Sequence, residues 1–154
     1  MADLQTGVRV RELKSNDIEA VTRIDAAHQG RRDDEDWRRV FPIYVGPEVP
    51  RAFAIGVEVA SELVGYLFAE VRAVEFGADP AGWVFAVGVD PAYQRQGYAR
   101  ALLSEARQRF QRLGVRFVRT MVKRDDVSIL SFFRSAGFVG GPFVQLEVDL
   151  KEEA

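Results

Sequence analysis

Apolar residues recur along this chain at two spacings, and the spacing changes from element to element. Val8 to Leu13 reads as a first strand. Ile18, Val21 and Ile24 then fall on one helical stripe. Asn16 is the predicted N-cap of that helix, Glu19 completes a capping box, and Gly30 ends it. A short helix is predicted around Asp34 to Val40. Pro42, Pro47 and Pro50 make the rest of that region a loop. Phe53, Ile55, Val57 and Val59 alternate with smaller or polar residues, so Ala52 to Ala60 is predicted as a half-buried strand. Ser61-Glu62 is a tight connection to a longer strand, Leu63 to Val74, and the two form a hairpin.

After a break at "EFGADPAGW", Trp83 to Val89 is nearly all apolar, the mark of a strand covered on both faces. Ala99, Leu102, Leu103, Ala106, Phe110 and Leu113 follow three- and four-residue spacing, and Gly114 is a natural C-terminal stop. Val115 to Val122 is a further strand, and Val127 to Ala136 a helix stopped at Gly137. Phe138-Val139, a Gly140-Gly141-Pro142 turn and Phe143 to Leu150 predict a closing hairpin. Strand–helix–strand units imply a parallel pair, and hairpins imply antiparallel neighbours. The expected fold is α/β: a mixed, twisted sheet of six to seven strands with helices on both faces, in one domain spanning 1–154.

Composition narrows the chemistry. The 154 residues are 47% apolar and 29% charged, a globular balance able to bury a sizeable core. The net charge of −2 gives no overall attraction to nucleic acid or an anionic membrane. Basic residues do gather between Arg107 and Arg124, but helical periodicity scatters Arg107, Arg109 and Arg112 around their helix. The reading is surface charge and no nucleic-acid partner. With no cysteine, disulfides, thiol catalysis and cysteine-ligated metal sites are excluded, and no metal is expected. No apolar run approaches the roughly 20 residues of a membrane span, and the first residues have no export-signal pattern. The expected location is therefore the cytoplasm, with no membrane partner.

One loop carries the candidate chemistry. Gln94-Arg95-Gln96-Gly97-Tyr98-Ala99 follows the Trp83–Val89 strand and opens the longest helix. A first helical turn has unpaired N–H groups and the positive end of the helix dipole, so it favours an anion. Gly97 lets backbone approach a phosphate closely, and Gln94, Arg95 and Gln96 add side-chain donors. The loop lacks the ending of a nucleotide P-loop and the three glycines of a dinucleotide fingerprint.

This stretch resembles the signature of the GNAT superfamily of acyl-CoA-dependent N-acetyltransferases, Gln/Arg-x-x-Gly-x-Gly/Ala. Here it stands as Gln94 to Ala99 after the turn Val89-Asp90-Pro91. The resemblance continues to Leu113 and resumes in "DDVSILSFFRSAGF", which is similar to the family's Asn-x-x-Ala-x-x-x-Tyr-x-x-x-Gly-Phe segment. It implies an enzyme that moves an acetyl group from acetyl-CoA to a primary amine. The implied cofactor pyrophosphate site is the N–H groups of Gln96, Gly97, Tyr98, Ala99 and Arg100. The implied pantetheine site is the backbone of Val87, Gly88 and Val89, which pairs with the pantetheine amides like an added strand. A strand bulge, placed at Gly88, is expected to help open that slot.

Three positions depart from the family pattern. The tyrosine that commonly protonates the leaving thiolate is Phe133 here, and the family's asparagine is Asp126. The position of a glutamate base found in some members is Met121. Glu70 is the weak catalytic candidate, working through water; the simpler reading of it is an ion pair on its strand. Trp37, Phe41 and Tyr44 are the candidates for lining the acceptor cleft. His28, the only histidine, reads as a surface residue near the end of the first helix. The rival to an enzyme is an acyl-CoA-binding regulatory or scaffold module. Edge strands in the closing hairpin are compatible with a homodimer.

Overall fold

The structure is a computed structural model that describes residues 7–28, 33–46, 51–73 and 79–152. Two compact units are distinguished, Met1–Met121 and Val122–Ala154. The first contains the whole sheet, in the order β1-β2-β3-β4-β5. Its strands are β1 (Val8–Glu12), β2 (Ala52–Val59), β3 (Glu62–Arg72), β4 (Ala81–Val89) and β5 (Val118–Thr120). β1 to β4 pair antiparallel and β4 pairs parallel with β5, so the expected mixed sheet is present. β2 and β3 are joined by Ala60 and Ser61, both at positive φ, as a two-residue primed turn requires.

Among the described residues three α-helices complete this unit: α1 (Ile18–Ala26), α2 (Asp34–Tyr44) and α3 (Tyr98–Arg112). Residue parity along the strands sorts them onto two faces. Ala54, Tyr66 and Phe68 pack with Val21 and Ile24 of α1 and with Trp37, Phe41 and Tyr44 of α2. Phe53, the neighbour of Ala54, turns the other way and meets Phe110 of α3, ring centroids 5.4 Å apart. Phe110 also covers Gly82, where a Cβ would lie 2.7 Å from its ring. On the α1/α2 face, Trp37 sits 5.1 Å from Phe68 and 5.5 Å from Tyr66, centroid to centroid. Each such large buried side chain contributes roughly 1.5–3 kcal/mol by leaving water.

Several sequence expectations change in detail. The first helix is not capped by Asn16. A 3-10 turn, Ser15–Asp17, precedes it, and the Asp17 carboxylate accepts from the Lys14 N–H at 2.7 Å. Arg11 grips the same carboxylate with two nitrogens, at 2.8 and 3.0 Å, and also pairs with Glu58. The predicted stop at Gly30 lies outside the described residues, as do Pro47, Pro50 and Val74. α2 runs through Pro42 to Tyr44 instead of ending at Val40. A proline near a helix C-terminus removes one hydrogen bond, and the buried faces of Phe41 and Tyr44 offset that loss. The start of α2 is held by two acids: Asp33 accepts from the Asp36 N–H at 2.9 Å, and Asp36 from the Asp33 N–H at 3.2 Å.

The second unit contains α4 (Val127–Ser135). Its N-cap is Asp126, which accepts from the Ile129 N–H at 3.2 Å. The predicted closing hairpin is a correction: residues 138–149 form no strand, and the sheet has five strands among the described residues, not six to seven. Val139, Val144, Leu146 and Val148 are exposed there. An alternating pattern yields a strand only where a neighbouring strand supplies the ladder. The edges on which a dimer was expected are therefore not strands here.

Candidate active site

β4 is paired on both sides for only part of its length. Gly82, Val84 and the residue between them align with Val118–Thr120 of β5, and the β4–β5 register ends there. Beyond Val84, β4 keeps only β3 as a neighbour among the described residues. The bulge that marks the change is not at Gly88. Phe68 pairs with Ala86 and Ala69 with Val84, so Phe85 is the extra residue, three positions earlier than expected. Phe85 swings onto the α2 face and stacks on Tyr44, centroids 5.5 Å apart at 17°.

Backbone direction alternates along the remaining strand. The Asp90 N–H donates to the Val64 carbonyl of β3 at 2.8 Å. By alternation the groups of Gly88 also face β3, while those of Val87 and Val89 face the open side. The sequence grouped these three residues together; the fold separates them. Gly88 has a steric role instead. A Cβ there would come 2.7 Å from the Tyr66 hydroxyl.

The loop follows at once. Asp90 accepts from the Ala92 N–H at 2.9 Å and starts a 3-10 turn, Pro91–Tyr93. Arg95 and Gly97 both take positive φ, 64° and 83°. Gly97 is the N-cap of α3, and no side chain caps the first turn. The Ala101 N–H donates to the Gly97 carbonyl at 3.0 Å. The N–H groups of Tyr98 and Ala99 precede it, at the positive end of the helix dipole. Nothing lies within 4 Å of where a Cβ at residue 97 would be, so the space over the loop is open. Gln94, Arg95, Gln96 and Arg100 are exposed around it. Tyr98 is different: its ring is buried, and its hydroxyl donates to Gln96 Oε1 at 3.2 Å. An open cradle of N–H groups beside a strand end with no β5 partner among the described residues suits a ligand with a pyrophosphate and an amide-bearing arm.

Trp37, Phe41 and Tyr44 belong to the core, and Trp37 is 0% exposed. Glu70 accepts from Arg72 Nε at 3.0 Å, the ion pair expected of it, and Arg72 also lies over the Trp83 ring at 4.6 Å. Met121 is 65% exposed. In the second unit Phe133 is 3% exposed, between Phe132 and Phe138, with ring centroids 5.2 and 5.0 Å away. Asp126 is engaged as the α4 cap.

Two polar residues at the end of α1 were not assigned to the site from sequence. Asp25 of α1 is 2% exposed and accepts from Trp37 Nε1 at 3.0 Å and from the Tyr66 hydroxyl at 3.2 Å. His28 lies 3.1 Å, through Nε2, from the Val89 carbonyl. A signal did exist: Ile18, Val21, Ile24, Asp25 and His28 share one helical stripe, so both polar residues were placed toward the sheet.

Comparison with known proteins agrees with this geometry. The model of the acetyltransferase (GNAT) family matches residues 18–138, and the chain belongs to that family. The acyl donor of the family is acetyl-CoA. Among curated proteins, a mycothiol acetyltransferase from Propionibacterium freudenreichii subsp. shermanii is 28% identical over 89% of this chain and 45% of its own length. A mycothiol acetyltransferase from Renibacterium salmoninarum is 27% identical over 56% of this chain and 25% of its own. The chain thus spans less than half the length of these relatives.

Solved structures share the fold. The ribosomal-protein-S18-alanine N-acetyltransferase of Escherichia coli superposes with a TM-score of 0.69 at 20% identity, covering 84% of this chain and 76% of that one. An aminoglycoside N-acetyltransferase in complex with CoA reaches 0.77 at 14% identity, covering 97% and 99%. Among the described residues, no helix is long and apolar enough to cross a membrane.

Proposed function

We propose that this chain transfers an acetyl group from acetyl-CoA to a primary amine by direct attack. The observation that carries the reading is the end of β4, Val87 to Val89, which has no β5 partner among the described residues and runs into the glycine-opened N-terminus of α3. N–H groups from Gln96 to Arg100 would hold the pyrophosphate, with Gln94 and Arg95 adding side-chain donors. The open-side groups of Val87 and Val89 would pair with the pantetheine amides as an added strand. When bound, acetyl-CoA supplies an activated acyl carbon. An N–H at Val87 or Val89 would stabilise the charge that develops on the thioester oxygen.

This division of labour asks little of acid–base groups. Correct orientation is worth up to ~7–11 kcal/mol in favourable model reactions, while a general acid or base adds about 10²–10⁴-fold. Glu70, already paired with Arg72, could take the amine proton through water.

A second reading, an acyl-CoA-binding regulatory or scaffold module, is favoured by Phe133, whose phenyl ring has no proton to give. Two measurements separate the readings. Isothermal titration with acetyl-CoA should show saturable binding; none at millimolar concentration overturns both. Release of free CoA thiol is then followed across a panel of amines, including aminoglycosides, polyamines, free amino acids and a peptide beginning with alanine. Turnover with any of them supports the transferase, and binding without turnover across the panel supports the module.

A further inference from the structure

The chain has one histidine, and it is not a free surface group. His28 directly follows the C-cap of α1, and its backbone N–H donates to the Asp25 carbonyl at 3.0 Å. Its Nε2 lies 3.1 Å from the Val89 carbonyl oxygen, 61 residues away in sequence. A carbonyl only accepts, so Nε2 bears the proton and donates. The Asp90 N–H of the same peptide unit donates to Val64 at 2.8 Å. The Val89–Asp90 peptide is therefore gripped at both ends, by α1 on one side and by β3 on the other. It is the last peptide unit of β4 and the first of the cradle loop.

The support behind the histidine is also built. Asp25, three residues earlier on α1, binds the Tyr66 hydroxyl, and the Tyr66 ring covers Gly88. Asp25 on α1, through Tyr66, and His28 just beyond its C-cap thus bear on two successive residues of β4, Gly88 and Val89, by different contacts. Val89 O lies on the open side of the strand, with no ladder partner from β5. Left uncapped, that partly negative oxygen would stand beside the anion cradle and be free to turn.

We propose that His28 is a positioning residue of the acyl-donor slot. Its Nε2–H fixes the Val89 carbonyl, and with it the direction of the neighbouring open-side N–H groups. The inference rests on the acetyl-CoA reading above. It implies that an added pantetheine strand meets a carbonyl already engaged at Val89 and takes its bonds from the remaining open-side groups.

Isothermal titration of wild type, His28→Phe and His28→Gln with two ligands tests this. One is acetyl-CoA. The other is adenosine 3′-phosphate 5′-diphosphate, which keeps the pyrophosphate and lacks the pantetheine arm. His28→Phe should raise the Kd for acetyl-CoA about tenfold, the effect of one lost hydrogen bond, and change the Kd for the arm-less ligand less than about twofold. His28→Gln, whose amide N–H can replace Nε2–H, should stay within about twofold of wild type for both. His28→Ala, checked like the others by circular dichroism and thermal midpoint, should repeat the His28→Phe result. Unchanged acetyl-CoA binding in His28→Phe and His28→Ala, equal weakening of both ligands, or failure of His28→Gln to restore affinity overturns the proposal. If wild type binds neither ligand, the acetyl-CoA reading itself fails and the proposal with it.

Discussion

Tyr66 stands so close over Gly88 that a Cβ at residue 88 would lie 2.7 Å from its hydroxyl and 2.8 Å from the ring carbon bearing it. The ring cannot simply move aside, because its hydroxyl is bound to buried Asp25 at 3.2 Å. Gly88→Ala should therefore cost about 1–3 kcal/mol, as overpacking does in a filled core. Acetyl-CoA affinity should fall with it, since β4 must shift at the slot. Urea denaturation and calorimetric titration check the two effects. A fully stable Gly88→Ala protein would show that Tyr66 is free to yield.

Asp25 holds two buried donors at once, Trp37 Nε1 and the Tyr66 hydroxyl. Removing the acceptor leaves both without that carboxylate inside an apolar layer, at about 1–3 kcal/mol for each donor left unsatisfied. Asp25→Ala should unfold at clearly lower urea concentration than wild type. Asp25→Asn, which keeps one acceptor oxygen, should lose less. Equal midpoints for the two variants would contradict this account.

For the fold alone, Gly97 needs its backbone freedom rather than its lack of bulk. Its φ is 83°, yet a Cβ would touch nothing. Gly97→Ala should cost about 1 kcal/mol in stability, the penalty of a left-handed conformation for an L side chain. It should weaken acetyl-CoA binding by at least about tenfold, because a methyl group would intrude on the space over the cradle. A thermal melt and a titration on the same sample separate the two.

Asp17 links stability to acid. Burial works against its charged form, but the hydrogen bonds from Arg11 and the Lys14 N–H outweigh that and hold its carboxyl below the ordinary value. A carboxyl depressed by folding stabilises the protein above its unfolded pKa, near about 3.9. That contribution is lost as pH falls through the folded value. Asp17→Asn should melt below wild type at neutral pH, and the gap should narrow as pH drops below about 4. Thermal midpoints recorded from neutral to strongly acid pH check this; a constant gap would contradict it.

Much of this molecule is readable in one dimension. The period-two runs that became β2 and β3, the apolar run of β4 and the helical stripe of α3 each state their own environment locally. Burying a face requires that pattern whatever the partner is. The cradle was legible for the same reason, since a glycine N-cap between a strand and an amphipathic helix occupies consecutive residues. Phe143 to Leu150 shows where local reading stops. Its alternation is as clear as that of β2, yet it forms no strand, because a ladder needs a partner that local alternation does not specify. The bulge at Phe85 likewise follows from how β3 and β4 fit together, so it could not be fixed at Gly88 from β4 alone.

The sequence by itself determined the element order as far as α4, the two helix-bearing faces, the glycine that opens α3 and the resemblance that named a ligand. Tertiary structure decided which backbone groups of β4 are open, since pairing parity depends on a neighbour's register. It drew Trp37, Phe41 and Tyr44 into the core. It also joined His28 to Val89 and Asp25 to Tyr66, contacts between residues tens of positions apart that only the packing of α1 on the sheet brings together.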